Sequence, residues 1–83
     1  MSDPVRDPRQ IGTHLRRARK KRGWTQRELG IAAGIRQEAV SVIENGHAAT
    51  RIDTLLKLLG ALDLEFQIAP RSKSTDWNLE DHF

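Results

Sequence analysis

The chain has 83 residues, a formal net charge of +3 and no cysteine. That length admits one small domain burying only about 60% of its unfolded surface, which dimerisation would help, and the missing cysteines exclude disulfides and thiolate metal sites. No apolar run approaches the roughly 20 residues of a membrane span and the N-terminus lacks a signal-peptide core, so a soluble, cytoplasmic protein is expected.

The charge is unevenly placed along the chain. Residues 1 to 51 hold eleven Arg or Lys against five acids, +6, whereas residues 52 to 83 hold three against six, −3. A basic half of this kind suits a surface that meets phosphates, and the acidic half suits a different partner.

In chain order, residues 1 to 9 carry Pro4 and Pro8 among alternating charges and read as a flexible arm. A first helix is predicted over Gln10 to Arg22, with Ile11, Leu15 and Ala18 inward and the run RRARKKR (Arg16 to Arg22) mostly outward as a solvated cationic face. Arg19 is the exception, because it follows Leu15 by four residues on the inward side. Trp24, between helices, reads as a core plug rather than a base-stacking platform.

Thr25 to Gly46, TQRELGIAAGIRQEAVSVIENG, organises the rest. Thr25 and Glu28 have capping-box spacing, so a helix begins here, with Leu29, Ala32 and Ala33 on its apolar face. Gly30 costs helix propensity but permits close backbone approach. Gly34 suits the left-handed residue that ends a helix, with Ile35 dropping into the core behind it. A second helix follows over Gln37 to Asn45, Val40 and Ile43 inward, closed by Gly46. Two short helices around a tight Gly turn make a DNA-binding helix-turn-helix, or a helical hairpin in any small bundle; the turn alone leaves both open.

After Gly46-His47-Ala48-Ala49-Thr50 a fourth helix is predicted, with Thr50 and Asp53 in capping-box spacing. Ile52, Leu55, Leu56, Leu58, Leu59 and Leu62 cover about 160° of it at 100° per residue, wider than one core-facing stripe of about 100°. Leu58, at one edge of the arc, is the candidate for a subunit interface; a generous core is the other reading. Beyond Asp63 the period becomes two. Leu64, Phe66 and Ile68 alternate with Glu65, Gln67 and Ala69 until Pro70, the pattern of a half-buried strand. A lone strand has unpaired edges, so it is expected to pair with the same strand of a second copy. Residues 70 to 83 form a polar tail, disordered when free.

His14, His47 and His82 lack partners at ligand spacing, so no metal is expected. No phosphate-cradling glycine loop and no nucleophile with a base appears, so neither catalysis, cofactor nor small-molecule substrate is expected. Taken as a DNA-binding motif, the geometry gives roles. Thr25 and Gln26 open a helix whose free N–H groups and dipole favour a phosphate. Arg36, Gln37, Glu38 and Ser41 begin the second helix as base readers: Arg forks onto guanine, Gln onto adenine, Glu accepts from cytosine, and Val42 reaches a thymine methyl. Asn45, His47 and Arg51 are backbone-contact candidates.

Trp24-Thr25-Gln26, Leu29, Gly34-Ile35, Val40-Ser41 and Ile43-Glu44-Asn45-Gly46 together resemble the XRE-type, lambda-repressor-like DNA-binding domain over residues 11 to 62, with Gly30 standing where that family usually has alanine. Gly23-Trp24-Thr25-Gln26, Gly34-Ile35-Arg36-Gln37, the Leu64-to-Ile68 run and a Trp-bearing tail resemble HipB-type antitoxins, although Glu38 replaces the small residue of those relatives. The resemblance implies a mainly α domain of four to five helices over residues 10 to 69, with the C-terminal strand pairing across a homodimer. It also implies an ion pair between Arg19 and Glu44 tying the first helix to the third. The function implied is repression at a palindromic operator and neutralisation of a HipA-type serine/threonine kinase toxin; a free-standing XRE-type regulator is the alternative. Trp77, Leu79 and Phe83 would then anchor the tail on the toxin, against the readings of an inert tail or one folded back on its own dimer.

Overall fold

The computed structural model describes residues 4–47 and 49–71, and it contains four helices: α1 (Pro8–Lys21), α2 (Gln26–Ala33), α3 (Gln37–Glu44) and α4 (Ile52–Ala61). The helix α1 starts two residues earlier than expected, so Pro8 and Arg9 belong to it and not to the arm. Asp7 is the reason. The amide of Gln10 donates to the Asp7 carboxylate at 2.9 Å and the amide of Asp7 donates to Gln10 Oε1 at 3.1 Å. Pro8 sits at the first helical position, where its missing N–H leaves no bond unmade.

The expected capping box opens α2: the Glu28 amide donates to Thr25 Oγ1 at 3.0 Å and the Thr25 amide to Glu28 Oε1 at 2.8 Å. Gly34 ends α2 in the left-handed conformation, and Ile35 N–H reaches back to the Gly30 carbonyl at 2.9 Å, turning the chain into α3. The capping box expected at α4 does not form. Arg51 is the N-cap and makes no side-chain cap bond, Thr50 Oγ1 donates to the His47 carbonyl instead, and Asp53 is occupied by Arg51 and by the Thr54 amide.

Leu15 of α1, Leu29 of α2, Val40 and Ile43 of α3, and Leu55, Leu58 and Leu62 in and just after α4 form one core, with Ile11, Ala18, Trp24, Ile35 and Leu59 packed around it. Two glycines bring backbones together. A Cβ on Gly12 would lie 2.4 Å from the Glu44 carbonyl oxygen and one on Gly30 would lie 2.8 Å from that of Ile35, so α1 seats on the end of α3 and α2 on the turn only without side chains there.

Leu58 corrects the expectation of a subunit interface at that residue. It is 0% exposed, enclosed by its own chain, and has no surface left for a second copy. The surplus apolar surface of α4 lies at the other edge of the arc, on Ile52 (69% exposed) and Leu56 (47%). No strand occurs among the described residues: 64 to 71 have no regular structure, and Leu64, Phe66 and Ile68 are all exposed. A strand needs a ladder partner, and a single copy of these residues supplies none. Most of the tail, with Trp77, Leu79 and Phe83, lies outside the described residues.

Candidate nucleic-acid interface

Val40 and Ile43 fasten α3 to the core and turn its opposite side outward. Arg36, Gln37 and Glu38 at its start are exposed, Ser41 is half-buried, and Val42 one helical turn beyond Glu38 is exposed. Arg36 is the N-cap and is exposed; its guanidinium has donors only and so cannot cap the helix amides. Four of the five expected base readers therefore share one short helix and Arg36 stands at its N-cap, with the inward pair Val40 and Ile43 fixing the rotation of the helix.

Beneath this helix lies the most connected polar group of the described residues. Glu44, 5% exposed, faces Arg19, 8% exposed, in a forked pair: Nε to Oε2 at 2.7 Å and Nη2 to Oε1 at 3.0 Å. The third guanidinium nitrogen of Arg19 donates to the Trp24 carbonyl at 2.8 Å, which ties the loop after α1 to the same centre. Burial alone would push the Glu44 carboxyl up. Hydrogen bonds from Arg19, Gln26 and Arg16 and the charge of Arg19 outweigh it and hold the carboxyl below its ordinary range, while the bond to Glu44 raises Arg19 above its own.

Two more donors reach Glu44 from the surface. Gln26 Nε2 lies 3.1 Å from Oε1 and Arg16 Nε lies 3.5 Å from the same oxygen, while Arg16 Nη2 donates to Asn45 Oδ1 at 3.1 Å. Three expected contact residues are thus already engaged: Gln26 by Glu44, Asn45 by Arg16, and Thr25 by its cap bond, whose hydroxyl keeps a proton to donate. Arg51 is forked onto Asp53 at 3.0 and 3.1 Å on open surface, a pair of little energetic weight that a phosphate can compete for. His47 is exposed in the loop. Arg16 escaped the sequence reading because it stands in a cationic run that looks uniformly solvated. Its spacing of three from Arg19 was the available signal.

Trp24 is half-buried against the core, with the Arg22 guanidinium 5.1 Å from the centre of its ring, so its ring face is turned to the protein and an arginine rather than offered to a base. The described residues hold no group of His, Cys, Asp or Glu that could bind a metal, and no helix is long and apolar enough to cross a membrane.

A helix-turn-helix family model matches residues 15–68, which span α2, the Gly34 turn and α3. The chain belongs to the XRE-type helix-turn-helix family. Antitoxin HipB of Escherichia coli K12 is 29% identical over 76 residues, covering 92% of this chain and 86% of that protein. Antitoxin HipB of Escherichia coli O6:H1 is 33% identical over 64 residues, covering 77% of this chain and 68% of its own length. Among solved structures, HipB in the HipA-HipB-O2-O3 complex superposes with a TM-score of 0.79 at 30% identity, covering 86% of this chain and 100% of that one. The chain is therefore a HipB-like member of the family with a DNA-binding helix-turn-helix fold. Within that fold α3 stands as the second, outward helix of the motif and α2 as the first.

Proposed function

We propose that this chain is the DNA-binding antitoxin of a toxin–antitoxin pair: as a homodimer it represses a palindromic operator, and it neutralises a HipA-like serine/threonine kinase toxin. The observation that carries the reading is the exposed start of α3, where Arg36, Gln37 and Glu38 precede Ser41 and Val42 on a helix that Val40 and Ile43 lock to the core. Arg36 and Gln37 read bases, Glu38, Ser41 and Val42 complete the readout, and Thr25, Gln26, Asn45, His47 and Arg51 meet the backbone. One such motif per chain calls for two copies, with recognition helices about one DNA turn apart, roughly 34 Å, or a multiple of it. A site selected from a random duplex library supplies the probe. Against it Arg36→Ala and Gln37→Ala should each cost about 1 to 3 kcal/mol and relax sequence preference, while Gln26→Ala weakens all sequences more evenly. Equal losses on selected and scrambled duplexes for all three variants would remove the base-reading assignment.

The seam of the dimer is assigned to Leu64, Phe66 and Ile68, pairing as a strand with the same residues of the second copy. Their exposure in one chain, 40% for Leu64, 55% for Phe66 and 96% for Ile68, supports this, since three alternating apolar side chains are left incompletely covered by their own chain. Truncation after Asp63 is expected to give a poorly stable monomer in sedimentation; a truncated chain that remains a tight dimer would move the seam to Ile52 and Leu56 on α4.

Trp77, Leu79 and Phe83 are assigned to the toxin, with Asp76, Glu80 and Asp81 as complementary charge. Two of the four aromatics of the chain stand in a polar segment beyond Pro70, the composition of a peptide that folds on a partner. Removal of residues 71 to 83 should leave operator affinity nearly intact and weaken binding to a HipA-like kinase in calorimetry. Unchanged kinase affinity removes the tail from the interface, and no kinase binding by the full chain leaves a free-standing regulator.

A further inference from the structure

Asn45 sits just after α3, exposed, and its side chain is not left to choose its own orientation. Arg16 Nη2 donates to its Oδ1 at 3.1 Å. A guanidinium has donors and no acceptor, so only the oxygen of the amide can face it, and the amide nitrogen with its two N–H donors is turned away. Arg16 is held in turn. Its Nε lies 3.5 Å from Oε1 of Glu44, whose side chain is buried in the structural pair with Arg19, and its own side chain is 45% exposed. The chain of contacts runs from the rigid centre of the domain through Arg16 to an exposed amide at the end of the recognition helix.

We infer that Arg16 is a positioning residue for DNA binding: bridging Glu44 and Asn45, it locks the Asn45 amide with its NH2 group outward as a ready-made donor for a backbone phosphate. The inference rests on the DNA-binding reading above and deepens it. An asparagine free to flip presents its oxygen about as readily as its nitrogen, and the oxygen repels a phosphate; the lock removes that half of the population and the rotamer entropy of the remainder. Arg16 is suited to this because its guanidinium carries two separate donors in a fixed plane, one for each partner. A lysine ammonium is one point charge on a flexible stem.

The test measures binding to a mixed-sequence DNA duplex, by fluorescence anisotropy over a range of salt concentrations, for the full chain and for Arg16→Ala, Asn45→Ala, the double variant and Arg16→Lys. Thermal melts check that each is folded; Arg16 and Asn45 are exposed and none of the substitutions replaces a member of the Arg19–Glu44 pair. Positioning predicts that Arg16→Ala weakens binding roughly threefold to tenfold, the scale of one hydrogen bond, and that this loss shrinks to under about twofold once Asn45 is alanine. It also predicts that Arg16→Lys keeps the salt dependence of the parent without recovering its affinity. If Arg16 instead touches a phosphate itself, Arg16→Ala takes about 0.9 from the salt slope, its loss is the same in both Asn45 backgrounds, and lysine restores binding. Any of those three results overturns the inference while leaving DNA binding standing. A parent chain that does not bind the duplex overturns the DNA-binding reading and this inference together.

Discussion

Replacing Glu44 by alanine, or Arg19 by alanine, is expected to cost about 3 to 5 kcal/mol of folding stability, because each change leaves the other charge stranded in a centre closed to water. The forked geometry at 2.7 and 3.0 Å and the near-complete burial of both side chains set this pair apart from the open Arg51–Asp53 fork, whose loss should be hard to detect. The Glu44 side is the more damaging, since Arg16 and Gln26 also lose their acceptor. Denaturant titration reads the difference; a loss below about 1 kcal/mol would mean that the pair behaves as a surface bridge.

The same pair gives the fold an acid sensitivity whose sign is determined. The Glu44 carboxyl is held below its ordinary value of 4.5 in the folded chain, so the unfolded chain takes up its proton first as pH falls. Its contribution is complete above that value and is lost progressively below it. The stability gap between the parent and Glu44→Gln should accordingly be widest near neutral pH and narrow as pH drops below 4.5. A gap that stays constant or widens in acid would remove the carboxylate as its source.

Leu58→Ala is expected to cost about 2 to 5 kcal/mol, the range for a fully buried leucine whose site cannot collapse completely. In a domain of this size that lowers the melting temperature by roughly 10 °C or more, since each kcal/mol is worth about 4 to 8 °C. The informative part is its dependence on protein concentration. A residue at a subunit interface shows a deficit only while the parent is dimeric, so its deficit shrinks on dilution below the dissociation constant of the dimer, whereas a residue inside one chain shows the same deficit throughout. Leu58 lies at 0% exposure inside its own chain, so the deficit should not change with dilution. A deficit that fades as concentration falls would return Leu58 to the interface.

What is local was legible in the amino-acid sequence. Thr25 and Glu28 cap α2, Gly34 ends it left-handed, and Val40 and Ile43 define the inward side of α3, because caps, turns and periodicity are settled by residues within four positions of one another. The helix-turn-helix and the family followed from those residues. The Asp7–Gln10 box was equally local, but the prolines on either side of Val5 and Arg6 hid it by suggesting an arm.

What the tertiary structure decided was direction and partnership. The apolar arc of α4 has two edges, Leu58 and Leu56, and periodicity reports its width without saying which edge faces the chain's own core. The packing of α2 on α4 puts Leu58 inside and leaves Leu56 and Ile52 outside. The cationic run of α1 likewise looks uniform along the chain, yet Arg19 and Arg16 both reach Glu44, 25 and 28 positions away, because Gly12 lets α1 seat directly on the carbonyls that end α3. Leu64, Phe66 and Ile68 carry a strand's alternation without a strand's hydrogen bonds, since those need a second edge that one copy of the described residues does not hold. A sequence records which side chains are apolar or charged and how they are spaced; which of them meet is a property of where the helices cross.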